Sequence, residues 1–382
     1  MIREIREGLE GVVAASTRLS LVDGAAGRLV FAGYAAEEIA PRASFEEMAH
    51  LLWTGSLPSV AELETLTSAL ASRRRLPAAT VFVMREAARH RTPAMDALRM
   101  AVSTLNLGRA QNDQEDAWTL VAAFPAIIGG YWRLRQGLEP LDVRDDLSHA
   151  EHFLHQIFNV ETSAGGVGRE RARALETYLN TVSDHGFNAS TFAARVIAST
   201  HSDLVSAITG AIGALKGPLH GGAPGPALEM VFEIGKPERA EAVILDKLKR
   251  GERLMGFGHR VYKVRDPRAD ILAAAAERFY TTEGDRELYQ LALFVEKTAL
   301  RLLAKERPGR PLHTNVEFYT ALLLHGLGLP AELFTPTFAA GRVLGWSAHC
   351  LEQLHQGRLI RPESVYNGPT EQRFQALSQR AS

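Results

Sequence analysis

Cysteine is nearly missing: Cys350 is the only one in 382 residues. A lone thiol excludes a disulfide framework within the chain and any multi-cysteine metal or iron–sulfur site, and it fits a reducing, cytoplasmic setting. Surplus charge is missing too. The 43 Lys and Arg nearly cancel 44 Asp and Glu, for a formal net charge of −1. That balance argues against a dedicated nucleic-acid binder or a polybasic membrane-surface protein, while leaving room for a local basic pocket. The longest apolar run, Leu120 to Trp132, has 13 residues and is interrupted by Pro125 and by Gly129-Gly130. It is too short to span a bilayer. Met1 to Arg6 mixes charges and has no apolar stretch, so neither a signal peptide nor a membrane anchor is expected.

Several catalytic signatures are absent as well. There is no G-x-x-x-x-G-K-[ST] phosphate loop, no H-E-x-x-H and no G-x-S-x-G elbow. Gly256-Phe257-Gly258 is followed by His259-Arg260-Val261, so the third glycine of a dinucleotide fingerprint is lacking and no strand precedes it. His149, His152 and His155 recur every third residue and read as a solvated helix face rather than a metal site. His349 and His355 are read with the same restraint. No metal is expected.

With 46% hydrophobic and 23% charged residues, there is ample material for a buried core. Most segments read as helices between Gly/Pro breaks. Ser44-Phe45-Glu46-Glu47 and Ser59-Val60-Ala61-Glu62 are capping boxes. The first opens a helix carrying Met48, Leu51 and Leu52 and stopping at Gly55. The second opens one ending in Arg73-Arg74-Arg75, read as a solvated C-terminus. Further helices are predicted near 117–136, 170–184, 190–200, 202–215, 238–250, 267–281, 285–306 and 315–326. The last helix is predicted to start with Thr335 as N-cap and Pro336 at N1 and to run to Gly357. Strand-like alternation is confined to the region of Arg28-Leu29-Val30-Phe31, so the fold class is mainly α with a short β segment near the N-terminus. The polar stretch 142–168 reads as a long surface connection.

Three segments carry residues suited to chemistry. Gly217-Pro218-Leu219-His220-Gly221-Gly222-Ala223-Pro224 puts a histidine in backbone that cannot be regular helix. The run Gly256 to Arg268 adds a second histidine, His259, followed by cations. Asn315-Val316-Glu317-Phe318-Tyr319 offers a carboxylate at the start of an apolar helix. Taken singly, each has an ordinary structural reading as a turn residue or a helix-terminal charge.

Taken together, in this order and spacing, they resemble the citrate synthase family. Gly256 to Arg268 is similar to that family's pattern of Gly-x-Gly-His, a basic residue and then Asp-Pro-Arg. The resemblance spans nearly the whole chain. It includes Asp23-Gly24 and Gly27-Arg28-Leu29, Met95-Asp96-Ala97-Leu98-Arg99, His185-Gly186-Phe187-Asn188, Lys216-Gly217-Pro218-Leu219-His220, Gly341-Arg342-Val343-Leu344-Gly345-Trp346 and Ile360-Arg361-Pro362.

The resemblance implies a two-domain, all-helical homodimer. Residues 1–221 and 328–382 would form the large, dimerising domain, and 222–327 a small domain carrying coenzyme A and catalytic residues. It implies condensation of acetyl-CoA with oxaloacetate and water to give citrate and coenzyme A, a citrate (Si)-synthase-type acyl transfer that uses acetyl-CoA as substrate and no cofactor. His220 would polarise the thioester carbonyl, His259 would bond and protonate the keto group, and Glu317 would take the α-proton. His185, His259, Arg268 and Arg342 would grip oxaloacetate, with Arg361 reaching over from the other subunit. Met255, Gly256, Phe257, Gly258 and Lys263 would bind coenzyme A. Two alternatives stand beside this: a 2-methylcitrate synthase using propionyl-CoA, and a catalytically weak homologue that only binds ligand.

The chemistry asks for such a set. A Glu of ordinary pKa near 4.3 is far too weak a base for a thioester α-carbon, and each unit of mismatch costs about 1.36 kcal/mol. It needs a donor aimed at the oxygen where charge develops, worth roughly 2.7–4 kcal/mol. Planar arginines suit a dicarboxylate better than lysines do. Burial would raise the Glu317 pKa and a nearby arginine would lower it. One departure stands out: most of the family carries Asp where this chain has Glu317, and a minority branch shares the Glu.

Overall fold

The structure, a computed structural model, describes residues 5–159, 168–220, 224–259, 261–307, 309, 312–376, 378 and 380. Among them are sixteen α-helices and one three-stranded antiparallel sheet. The strands are β1 (Ser20–Asp23), β2 (Arg28–Phe31) and β3 (Tyr34–Ala35). β1 pairs with β2 from Ser20↔Phe31 to Asp23↔Arg28. Leu29 and Phe31 are buried on one side of β2, the alternation that marked it in the sequence.

Both capping boxes form. Ser44 caps the Phe45–Thr54 helix reciprocally with Glu47, and Gly55 ends it in the left-handed conformation. Ser59 does the same with Glu62 for Val60–Ala71. The helix Asp113–Arg135 is buried on every face from Leu120 to Tyr131, with Pro125 inside it, and carries its charges only at its two ends. The long helix Phe334–Gln356 is buried along most of its length. Its Gly341 and Gly345 let it pack closely: a Cβ at Gly345 would lie 2.2 Å from the Ser183 carbonyl oxygen, and one at Gly341 2.8 Å from that of Leu179. This approach seats Arg342 beside the segment Val182–His185.

Four expectations need correction. The last helix does not use Thr335 as its cap. A 3₁₀ turn, Ala331–Leu333, runs directly into it, Leu333 takes the N-cap place, and Pro336 sits in the first turn where no backbone N–H is needed. The stretch 142–168 is not simply a connection, because Ser148 and Glu151 form a third capping box for His149–Phe158; residues 160–167 lie outside the described ones. The histidine face of that helix is not solvated: His149 is 1% exposed, His152 0% and His155 8%. Nor is the arginine run solvated as a whole. Arg73 pairs with Glu115 and lies 5.0 Å over the Trp118 ring, and Arg74 is buried with a bond to the Arg144 carbonyl. The helices Ala78–Arg89, Ala94–Val102 and Pro224–Ile234 were not anticipated.

The buried histidines make stability sensitive to acid. Burial, with Arg74 adding, pushes His152 down to about 3 and His149 well below its ordinary value. The folded chain therefore holds both neutral while the unfolded chain protonates them below about 6.5. Unfolding takes up protons, so stability rises with pH in that window and falls as pH drops from about 6.5 towards 3. Each histidine contributes a slope of at most about 1.36 kcal/mol per pH unit. We expect His152→Leu to flatten the dependence of the thermal midpoint on pH between 5 and 7. Identical slopes for variant and wild type would show that these rings do not control acid lability.

Candidate active site

Asp266 caps the helix Pro267–Thr282, with Pro267 at its first position. Its Oδ1 accepts from the backbone N–H and Nε of Arg268, both at 3.0 Å, and its Oδ2 from an Arg268 terminal nitrogen at 2.8 Å. The same Oδ2 accepts the Val316 N–H at 3.3 Å. One carboxylate thus aims a buried guanidinium and anchors the start of the helix Val316–Gly326. Burial alone would raise the Asp266 pKa, but Arg268 holds it below the usual carboxylate range.

Asn315 caps that second helix by accepting the Glu317 N–H at 2.9 Å. It also donates its N–H to the Gly256 carbonyl at 2.9 Å and its side-chain amide to the Gly258 carbonyl at 2.7 Å. Phe257 pairs with Thr314 as an antiparallel bridge. Gly256 and Gly258 have φ of 88° and 84°, a left-handed conformation that glycine tolerates best. The turn before His259 is in this way locked to the helix that carries Glu317. Glu296 reinforces it from below, accepting from Thr314 Oγ1 at 2.6 Å, Tyr319 OH at 2.5 Å and Arg265 at 3.1 Å.

Around these elements lies a cavity of 1590 Å³. His185, His220, Met255 to His259, Lys263, Arg268, Glu317 and Arg342 all line it. Arg361 does not: it is exposed on the segment after the last helix. Gly221 and Gly222, part of the sequence motif, lie outside the described residues.

The three histidines are held differently. His220 Nε2 faces the Ser190 N–H at 3.2 Å and its hydroxyl at 2.8 Å. Since Nε2 accepts from a backbone N–H, Nδ1 carries the proton of the neutral ring. Ser190 is fixed in turn by the Trp346 indole at 3.0 Å and by Asn188 Oδ1 at 2.8 Å. Burial, then Arg342, lowers His220 to about 4. His259 Nδ1 accepts the N–H groups of Val261 and Tyr262, both at 3.0 Å, so the proton belongs on Nε2, which lies 3.2 Å from an Arg268 nitrogen. It too is lowered to about 4, by burial and then Arg268. His185 is buried, Nε2 3.1 Å from the Tyr262 hydroxyl, and burial with Arg268 and Arg342 keeps it well below its ordinary value.

Arg342 is 1% exposed, donates from Nε to the Val182 carbonyl at 2.6 Å and lies 4.6 Å over the Phe338 ring. Burial lowers it to about 10, so it remains a cation. Burial raises Glu317, and outweighs the opposing pull of Arg268 and Arg253. The sequence reading missed several lining residues. Arg253 and Arg307 add positive charge to the cavity, and Tyr262 and Asp266 shape its floor. Asp266 stood in plain view in the Asp-Pro-Arg triplet, whereas no pattern marked Arg253 or Arg307. Among the described residues no group of three His, Cys, Asp or Glu is arranged to hold a metal ion.

Residues 8–363 match a family model described as citrate synthase, C-terminal domain. Among similar proteins, citrate synthase 2 of Bacillus subtilis is 40% identical, over 98% of this chain and 99% of its own length. The 2-methylcitrate synthase of Mycobacterium tuberculosis is 38% identical, over 96% of this chain and 91% of its own. The ternary complex of carboxymethyl coenzyme A and oxaloacetate with citrate synthase from Thermoplasma acidophilum is similar in structure, with a TM-score of 0.87 at 33% identity, covering 99% of this chain and 100% of that one.

The two cleft histidines should be distinguishable by NMR. In ¹⁵N spectra at neutral pH, His220 is expected as the Nδ1–H tautomer and His259 as Nε2–H, each titrating near pH 4. Ordinary titration near 6.5 would show that water reaches both rings freely.

Proposed function

The chain belongs to the citrate synthase family, and from that premise we propose that it condenses acetyl-CoA with oxaloacetate and water to give citrate and free coenzyme A, the entry reaction of the tricarboxylic acid cycle. The observation that carries the reading is the convergence of His220, His259 and Glu317 on one cavity together with Arg268 and Arg342.

Oxaloacetate enters first, as two carboxylates against two buried guanidiniums, with His185 and His259 completing the grip. Arg268 suits this because Asp266 fixes its plane, so little rotamer entropy is lost on binding. Acetyl-CoA then lies along Met255 to Gly258, its phosphates near Lys263, Arg253 and Arg307. Glu317 removes a proton from the acetyl methyl. Its raised pKa makes it a stronger base than an exposed carboxylate, narrowing the gap to the carbon acid. The Nδ1–H of neutral His220 bonds the thioester oxygen as charge develops there, a contribution of about 2.7–4 kcal/mol. The resulting enol carbon attacks the keto carbon of oxaloacetate, and His259 delivers a proton to the new alkoxide. Water then hydrolyses the thioester, releasing citrate and coenzyme A.

The extra methylene of Glu317 relative to Asp advances the carboxylate by about one C–C bond, and an error of 1 Å in such a position costs on the order of 10²-fold. The acyl group must therefore sit correspondingly further from this helix. The 38% identity with a 2-methylcitrate synthase supports a second reading, in which propionyl-CoA is also accepted. One methylene in an apolar pocket is worth only about 1–3 kcal/mol, so the two activities overlap.

The remaining parts of the reading are the division into a domain of residues 1–221 and 328–382 and a smaller one of 222–327, a homodimer, and a cytoplasmic location. In the dimer, Arg361 of a second copy reaches the oxaloacetate site. Its exposure and its absence from the lining of its own chain's cavity support that. No helix among the described residues is long and apolar enough to cross a membrane. Neither cofactor nor metal is required by the chemistry above.

Glu317→Gln is expected to abolish condensation, measured as thiol release, while calorimetry still detects oxaloacetate binding. Retained turnover would remove Glu317 as the base. Parallel kcat/KM values for acetyl-CoA and propionyl-CoA decide between the two thioesters. No oxaloacetate-dependent thiol release with either would leave a ligand binder.

A further inference from the structure

The sequence around Asp23-Gly24 and Gly27-Arg28 plays no part in the chemistry above, yet the structure puts it against both halves of the oxaloacetate site. The turn between β1 and β2 is closed by Asp23, whose Oδ1 accepts the N–H groups of Ala25 and Ala26 at 3.0 and 2.9 Å. Gly24 in this turn has no left-handed φ that would call for glycine. Its neighbour does. A Cβ at Gly24 would lie 2.3 Å from the carbonyl oxygen of Val261, a backbone atom, and the Lys263 N–H donates to the Gly24 carbonyl at 2.9 Å. At the start of β1, Ser20 Oγ accepts the Gly186 N–H at 3.0 Å and bonds the Asp184 carboxylate.

These contacts flank the two histidines. Asp184 and Gly186 bracket His185. Val261 and Tyr262 supply the two N–H groups that orient the His259 ring, and the Tyr262 hydroxyl meets His185 Nε2 at 3.1 Å. We propose that the β1–β2 hairpin is a positioning element of the active site: through Ser20 and Gly24 it sets the distance between the turn bearing His185 and the turn bearing His259. Ser20 and Gly24 are positioning residues, touching no substrate. The inference rests on the oxaloacetate site proposed above.

The test uses the full-length chain with four variants. Gly24→Ala forces the Val261 carbonyl to move, and Ser20→Ala removes the tie to Asp184 and Gly186. Ala25→Ser alters an exposed neighbour in the same turn, and Ser20→Thr keeps the hydroxyl. Gly24→Ala and Ser20→Ala should each raise KM for oxaloacetate by about tenfold or more, since displacement approaching 1 Å is costly. KM for acetyl-CoA should change by less than about twofold in both, and Ser20→Ala should keep the thermal midpoint within about 2 °C of the wild type. Gly24→Ala lowers the midpoint because its new Cβ meets backbone, so the KM split is the readout there. Ala25→Ser and Ser20→Thr should match the wild type. An unchanged oxaloacetate KM in either Ala variant overturns the proposal, as does a rise that Ala25→Ser or Ser20→Thr reproduces.

Amide hydrogen exchange separates this from the reaction itself. Val261 and Tyr262 should exchange faster in Gly24→Ala than in the wild type whether or not the chain turns over substrate. Equal exchange overturns the positioning role. An inactive wild type with faster exchange in the variant overturns the catalytic reading and leaves the hairpin contact standing.

Discussion

The Asp266 carboxylate is the interaction on which the rest of the site depends. It takes N–H groups from the Arg268 side chain, the Arg268 backbone and Val316, and it does so inside the protein. A buried guanidinium without this partner would be an uncompensated charge, and breaking such a pair costs about 3–5 kcal/mol. The same carboxylate joins the start of two helices, so Arg268, proposed to grip the anion, and Glu317, proposed to accept the proton, share one anchor. Arg268 and Glu317 cannot drift independently. This explains how a site made of turns and helix ends keeps its geometry.

Charge then follows from burial. Two fixed cations, Arg268 and Arg342, stand among three imidazoles, and both desolvation and repulsion keep those rings neutral. A neutral ring can donate to a developing oxyanion without first losing a proton to solvent. Under the proposed reaction, a dianion on the two arginines would cancel the repulsion falling on His259, and its basicity would recover where the proposal needs a proton delivered. Glu317 is subject to the same burial with the opposite sign of charge, so the environment that keeps the histidines neutral makes the carboxylate more basic.

Much of this was legible beforehand, for identifiable reasons. Capping boxes are local, and those at Ser44 and Ser59 formed where the residues predicted. The Gly256–Gly258 turn was legible because its two glycines surround one aromatic, and the structure shows each at positive φ. One local signal, the Ser148–Glu151 capping box, went unread; most of what else escaped notice was set by tertiary contact. The histidine face of His149–Phe158 was misread as solvated because His149 and His152 counted as polar, whereas burial holds them neutral and lets them pack as rings, His149 stacked 4.2 Å from Phe45. Arg74 looked like one of three surface cations, and only the fold reveals that it alone turns inward. Arg253 and Arg307 reach the cavity from positions with no shared spacing, which no reading along the chain could join.

The two cleft histidines show how backbone can assign chemical roles to identical side chains. At His220 the Ser190 N–H occupies Nε2, so only Nδ1 has a proton to offer, and the ring acts as a donor towards the cavity. At His259 two N–H groups occupy Nδ1, and the proton sits on Nε2, facing an Arg268 nitrogen 3.2 Å away. Two donors in contact satisfy neither. A carboxylate or keto oxygen inserted there would accept from both, so this contact is poorly satisfied until an oxygen-bearing ligand enters. In the reading proposed above, a preference for an anionic keto acid is built from the tautomer of one ring, and that tautomer is imposed by the amides of Val261 and Tyr262 rather than by any other side chain.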